Sequence, residues 1–125
     1  MKGLLDTSVF VGREQGRDLG DLPEEGLVSV ITTAELRIGV LVAADPRTRA
    51  RRLRTLQAVE AVEPLPVDDA VGREFAEIVA ESRRGGRKPK LLDALIAATA
   101  KAHDLPIYTQ DADFKAIPNL EVVMI

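Results

Sequence analysis

The chain has 125 residues, no cysteine, a single histidine and a formal net charge of −3. That length suits one domain, residues 1–125, with a continuous core, and the missing cysteines exclude disulfide frameworks, thiolate metal sites and cysteine nucleophiles. The acidic balance excludes a protein that holds nucleic acid through bulk positive charge, although clustered acids around a cation would supply positive charge locally.

Lys2 to Leu5 predicts a short buried strand, and Asp6-Thr7-Ser8 the turn that leaves it, with Asp6 able to cap a helix through Ser8, Val9 and Phe10. A Gly- and Asp-rich connection, 12–23, precedes a second strand over 26–32, whose Leu27, Val28, Val30 and Ile31 suit a buried parallel sheet. The next helix, 32–44, carries Leu36, Val40 and Ala43 on one face and stops before Pro46. An Arg-rich helix from Pro46 to Glu63 places Leu53, Leu56, Val59, Ala61 and Val62 inward, while Arg47, Arg49, Arg51, Arg52 and Arg54 read as solvated surface. Leu36, Val40 and Leu41, with the apolar face of that Arg-rich helix, offer more apolar surface than one small core needs, a docking face for a partner.

After an extended 64–67, Asp68 caps a helix to about Ser82 with Ala70, Val71, Phe75, Ile78 and Val79 inward. The stretch 83–90 is a basic loop broken by Gly85-Gly86. An alanine-rich helix follows over 91–104, then a strand over 106–109, a turn, and a last strand over 120–125. Apolar runs alternating with helical segments predict an α/β fold, a three-layer α/β/α sandwich with a mostly parallel central sheet. No basic N-terminal segment leads into an apolar one, and no apolar run reaches the length of a membrane span, so a cytoplasmic protein with no membrane partner is expected. His103 reads as an exposed helix-end residue, not a ligand.

In that architecture four acids from separated segments fall at the carboxyl edge of the sheet, where open parallel sheets bind ligands. They are Asp6 after the first strand, Glu35 in the first turn of the following helix, Asp93 in the first turn of the alanine-rich helix and Asp111 after the third strand. Each has an ordinary alternative: Asp6 as a helix cap, Glu35 in a capping box with Thr32, Asp93 at a helix dipole, Asp111 in an Asx turn. Together they would repel, since two unit charges at about 4 Å cost about 4 kcal/mol at an effective dielectric near 20. A hard divalent cation, Mg²⁺ or Mn²⁺, would neutralise them. Asp6 and Asp93 suit direct ligation, Glu35 and Asp111 ligation through water, with Thr7 or Ser8 fixing a carboxylate rotamer.

The segments "LLDTSVF", "ITTAEL", "LLDALIAATA" and "IYTQDADF", in this order along the full chain, resemble the signature of a PIN-domain ribonuclease, specifically a VapC-type toxin of a toxin-antitoxin system. The resemblance implies a PIN-like fold, divalent-metal-dependent endoribonuclease activity, a homodimer and a cognate antitoxin that blocks the site. It places Asp6, Glu35, Asp93 and Asp111 as the catalytic, metal-holding acids, Asp113 as a further ligand that competes with Asp111 for one location, and Thr7 and Thr109 as supporting hydroxyls. One departure is local: Leu91-Leu92 stand before Asp93 where many relatives have a small or polar residue. For the RNA, Arg83, Arg84, Arg87, Lys88 and Lys90 lead straight to Asp93 and suit phosphates flanking the cut, while three Phe and one Tyr are too few for extensive base stacking. Two other readings fit parts of the pattern. A DNA nuclease of the same fold needs the same acids, and a receiver-like signalling module shares the first acid but lacks a central phosphoacceptor.

Overall fold

A computed structural model describes all of residues 1–125. Four short strands, β1 (Lys2–Leu5), β2 (Glu25–Leu27), β3 (Ile107–Thr109) and β4 (Val122–Met124), pair in parallel in the order β2-β1-β3-β4. Parallel neighbours cannot be joined by a tight turn, so helices make the crossovers. Helix α1 (Thr7–Glu14) links β1 to β2, and α2 (Val30–Leu41), α3 (Pro46–Glu60), α4 (Asp69–Arg84) and α5 (Leu91–Ala102) lie between β2 and β3. A 3-10 turn, Ala112–Ala116, precedes β4.

Two adjacent leucines of β1 show why the molecule has three layers. Leu4 joins a core with Val71 and Ile78 of α4, Ile96, Ala97 and Ala100 of α5, and Phe114. Leu5 turns to the opposite face, against Val28, Leu36, Leu56 and Val59 from the α2–α3 side, as the two-residue period of a strand requires. The sandwich expected from the alternation of elements is therefore the one that forms. Ala94, Ala97, Ala98 and Ala100 are all fully buried, and their small side chains let α5 lie close to the sheet and to α4.

Several boundaries differ from the sequence reading for local reasons. The second strand is three residues, not 26–32, because the Ser29 hydroxyl accepts the Ile31 N–H at 3.0 Å and starts α2 at Val30. Beyond it, Val28 and Val30 bond the backbone of Leu65, which gives the extended 64–67 piece a one-residue bridge at Ser29. With Ser29 as the cap, Glu35 stands in the second turn of α2 rather than the first, and no capping box with Thr32 forms. Helix α1 continues into the expected connection as far as Glu14 and ends at Gly16, whose φ of 75° suits glycine. Helix α4 reaches Arg84, so Arg83 and Arg84 belong to its last turn, and the chain leaves through Gly85 and the left-handed Gly86. Ala70, expected inside, is exposed, and Leu53 and Val62 remain 40% and 46% exposed on α3 and just after it.

Candidate active site

The chain leaves β1 toward β2 on one side and returns to β3 on the other, so a crevice opens beyond the carboxyl ends of β1 and β3. Asp6 stands at that point and is 4% exposed. Its Oδ2 accepts the Ser8 N–H at 3.2 Å, which caps α1, and the Thr109 hydroxyl at 2.9 Å, which ties β1 to β3. Having given its proton to Asp6, the Thr109 Oγ1 accepts the Asp111 N–H at 2.9 Å and lies 3.1 Å from the Ser8 hydroxyl. The Ser8 Oγ in turn accepts the Gln110 N–H at 3.0 Å. Asp6 thus caps α1 and ties β1 to β3 at the mouth of the crevice with the same side chain.

The other acids come from different elements. Glu35 Oε1 accepts the Thr7 hydroxyl at 2.7 Å. Thr7 Oγ1 also lies 3.1 Å from the hydroxyl oxygen of buried Thr32. Thr32 is a support that sequence reasoning missed, although its place one helical turn before Glu35 was the available signal. Asp111 accepts the Asp113 N–H at 2.9 Å and starts the 3-10 turn, the Asx turn expected of it. Asp113 is exposed and holds the Lys90 ammonium at 3.4 Å.

Asp93, half-buried in the first turn of α5, reveals how these acids share one field. Burial first, and then the negative charges of Asp6, Asp111 and Glu35, push its carboxyl up to about 6 against the pull of Lys90. Lys90 is held above its ordinary value by its hydrogen bond with Asp113 and by the charges of Asp113, Asp93 and Asp111. Lys90 therefore acts as the built-in counter-charge of the cluster.

The donor set, carboxylate oxygens without sulfur or imidazole, fits a hard divalent cation such as Mg²⁺ or Mn²⁺. The close crowding expected from the sequence is not what forms: no three of these acids approach closely enough to make a finished ligand cage. Asp6, Glu35 and Asp111 are each held by a hydroxyl or a backbone N–H and Asp113 by Lys90, whose positive charge also offsets part of the repulsion at Asp93.

The basic residues divide. Arg87, Lys88 and Lys90 line a cleft of about 300 Å³ together with Asp93 and Asp113, and Arg87 donates to the Ala116 carbonyl at 3.3 Å. Arg83 and Arg84, exposed at the end of α4, do not line that cleft. The arginines of α3 are not simply solvated, as their spacing suggested. Arg49 bonds the Ala43 carbonyl at 3.1 Å, Arg51 bonds Glu14 at 3.2 Å, and Arg52 bonds the Gly39 carbonyl at 2.7 Å. His103 is exposed at the end of α5, as expected.

Among known protein families, the PIN domain matches residues 3–120. The chain is 45% identical over 117 residues to Ribonuclease VapC5 of Mycobacterium tuberculosis, covering 92% of this chain and 87% of that protein. It is 44% identical over 126 residues to Ribonuclease VapC4 of the same organism, covering 99% and 97%. The crystal structure of the toxin-antitoxin member VapBC-5 from Mycobacterium tuberculosis matches with a TM-score of 0.88 at 41% identity, over 99% of this chain and 97% of that one.

Proposed function

The chain belongs to the PIN-domain family, and within it to the VapC-type ribonuclease toxins, and on that premise we propose that Asp6, Glu35, Asp93 and Asp111 are the acids with which it hydrolyses RNA. It is an RNA-cleaving toxin of a toxin-antitoxin pair. The proposal assigns it endonucleolytic cleavage dependent on Mg²⁺ or Mn²⁺, carried out by a single PIN domain in the cytoplasm. No helix is long and apolar enough to cross a membrane.

The observation that carries the residue assignment is the hydroxyl framework at the carboxyl ends of β1 and β3, where Thr109 holds the Asp6 carboxylate and the Asp111 N–H, each at 2.9 Å, and Thr7 holds Glu35 at 2.7 Å, while the raised Asp93 carboxyl fits their negative charges nearby. When bound, a divalent cation lowers the pKa of a coordinated water and offsets charge on the scissile phosphate. Asp6 and Asp93 are its direct holders in this reading, since both carboxylates are fixed by rigid elements, the end of β1 and the first turn of α5. Thr109 holds the Asp6 carboxylate in one orientation, and Thr7 does the same for Glu35. Glu35 and Asp111 orient the attacking water, and Asp113 serves as an outer acid paired with Lys90. Arg87, Lys88 and Lys90 contact phosphates flanking the cut in this reading, and Arg83 and Arg84, in the last turn of α4 outside that cleft, add positive charge to the same segment.

Solved structures similar to this chain include a toxin-antitoxin complex from Klebsiella pneumoniae, and an antitoxin is the partner proposed for this chain as well. A homodimer is proposed too, and the surface available to either partner includes Ile38, Leu41 and Val42, which stand 55%, 72% and 68% exposed at i, i+3 and i+4 on and just beyond α2. Of the apolar residues expected to be in excess there, Leu36 is core and Leu41 is free.

Cleavage of total RNA and of single-stranded DNA, with Mg²⁺, Mn²⁺ or EDTA, tests the assignment. The expected result is cleavage of RNA that needs the cation and disappears in Asp6→Asn, a variant that keeps an oxygen to accept the Ser8 N–H. Undiminished cleavage by Asp6→Asn would refute the assignment, and cleavage of DNA alone would refute the substrate.

A further inference from the structure

A second cleft, of about 230 Å³, opens beside the acids on the α2–α3 side. Thr7 and Glu35 form one wall and belong to the candidate site. Arg51 and Arg52 form the other. Both arginines are anchored, Arg52 by the Gly39 carbonyl at 2.7 Å and Arg51 by Glu14 at 3.2 Å. A guanidinium carries five N–H donors, so each keeps donors for something else. Glu14 also lines the cleft, but helix α3 is one-sided in charge: it carries Arg47, Arg49, Arg51, Arg52 and Arg54 with no acid until Glu60, and Glu60 is taken by Arg37. Among the five, Arg51 alone has a carboxylate partner in a salt bridge.

The acids therefore lie between two basic clefts, each sharing acids with the site: Arg51–Arg52 reached through Glu35, and Arg87–Lys90 reached through Asp93. A polyanion cut at an acidic edge needs positive charge on both sides of the cut, and planar guanidinium groups suit phosphate by paired hydrogen bonds. We infer that Arg51 and Arg52 form a phosphate subsite that holds the RNA backbone on the Glu35 side of the scissile bond, so that the strand crosses the acids toward Lys90.

This inference rests on the ribonuclease reading, and its test separates the two. Steady-state cleavage of a short single-stranded RNA by the full chain with Mg²⁺ is measured across salt concentrations. Arg51→Gln and Arg52→Gln are expected to raise KM several-fold with kcat nearly unchanged. They should also flatten the fall of log(kcat/KM) with log salt by about 0.7 for each phosphate no longer neutralised. Arg54→Gln, on the same helix but outside the cleft, should leave both unchanged. Arg52→Lys should keep the salt slope yet raise KM, since an ammonium lacks the planar fork; it also serves should Arg52→Gln melt early. Folded variants with wild-type KM and salt slope would overturn the subsite while RNA cleavage by the wild type stands. Arginine substitutions that weaken only antitoxin binding would overturn it in favour of a protein contact. A wild-type chain that cleaves no RNA would overturn the underlying reading together with it.

Discussion

The two sides of the sheet are built differently. Beneath α4 and α5, eleven buried residues form one continuous core that includes Leu4, Ile96, Ile107 and Phe114. On the α2–α3 side only four, Val28, Leu36, Leu56 and Val59, form a core of their own, beside an apolar cavity of about 400 Å³ lined by residues such as Leu5, Phe10 and Val62. The acids are drawn from both sides, and the means of fixing them differ accordingly. Asp93 is aimed by a helix locked in by packing, whereas Glu35 sits on the thinner side and is aimed by a hydrogen bond from Thr7. Where packing is sparse, a polar contact supplies the orientation.

That contrast is most directly broken by deleting one large side chain from each side. Phe114 is fully buried in the larger core, so Phe114→Ala should cost about 3–5 kcal/mol, enough to unfold much of a marginal domain. Leu56→Ala lies in the smaller core beside a cavity and belongs at the lower end of its class, about 2 kcal/mol. Urea unfolding of both variants checks this, and equal losses would remove the distinction between the two sides.

The same contrast explains what the sequence made legible. The alanine-rich segment 91–104 and the apolar face of 69–84 repeat at helical period and announce the dense side, and the acids after strands one and three follow from the sheet's polarity. Less legible was the thin side. There a single hydroxyl, Ser29, moved the start of α2 back from the expected boundary and carried Glu35 into its second turn, because a local cap outweighs the β-propensity of Val28, Val30 and Ile31. The tertiary bonds of Arg51 and Arg52 leave no periodic trace, since their partners, Glu14 and the Gly39 carbonyl, lie on other helices. Nor could the spacing of acids along the chain say how far apart the carboxylates would settle, because that depends on hydroxyls and on Lys90, which approach from elsewhere in the chain.

Removing the hydroxyls sharpens the comparison at smaller cost. Thr109 is fully buried and bridges Asp6, the Asp111 N–H and Ser8, so Thr109→Val leaves a buried carboxylate and a backbone donor short of a partner. A loss of about 1–3 kcal/mol is expected, with a fall in RNA cleavage. Thr7→Val removes a half-buried bond and should cost about 1 kcal/mol, yet lower cleavage clearly because Glu35 loses its orientation. Thermal unfolding and cleavage rates measured on the two variants check both. If Thr7→Val left cleavage intact, Glu35 would have to be held by its helix alone, and the two sides would not differ in how they aim their acids.

The smallest effect concerns Asp93 and its charge. Its folded carboxyl is raised from 3.8 to about 6, so the folded chain holds that proton more tightly than the unfolded chain does. The associated stability is fully present below about pH 3.8 and is lost as the pH rises through about 6. Because Asp93 is only half-buried, the effect is reduced by solvent and should shrink as salt is added. In Asp93→Asn this contribution disappears. Without divalent cation, the variant should therefore gain in Tm relative to the wild type between pH 4 and pH 6, where the wild-type carboxylate takes up its charge beside Asp6, Asp111 and Glu35. A Tm difference constant across that range would mean that the packed helix α5 presents Asp93 to solvent rather than to the other acids. The dense side would then contribute only a scaffold to the site, and the residues that hold the cation would have to be sought between Asp6, Glu35 and Asp111.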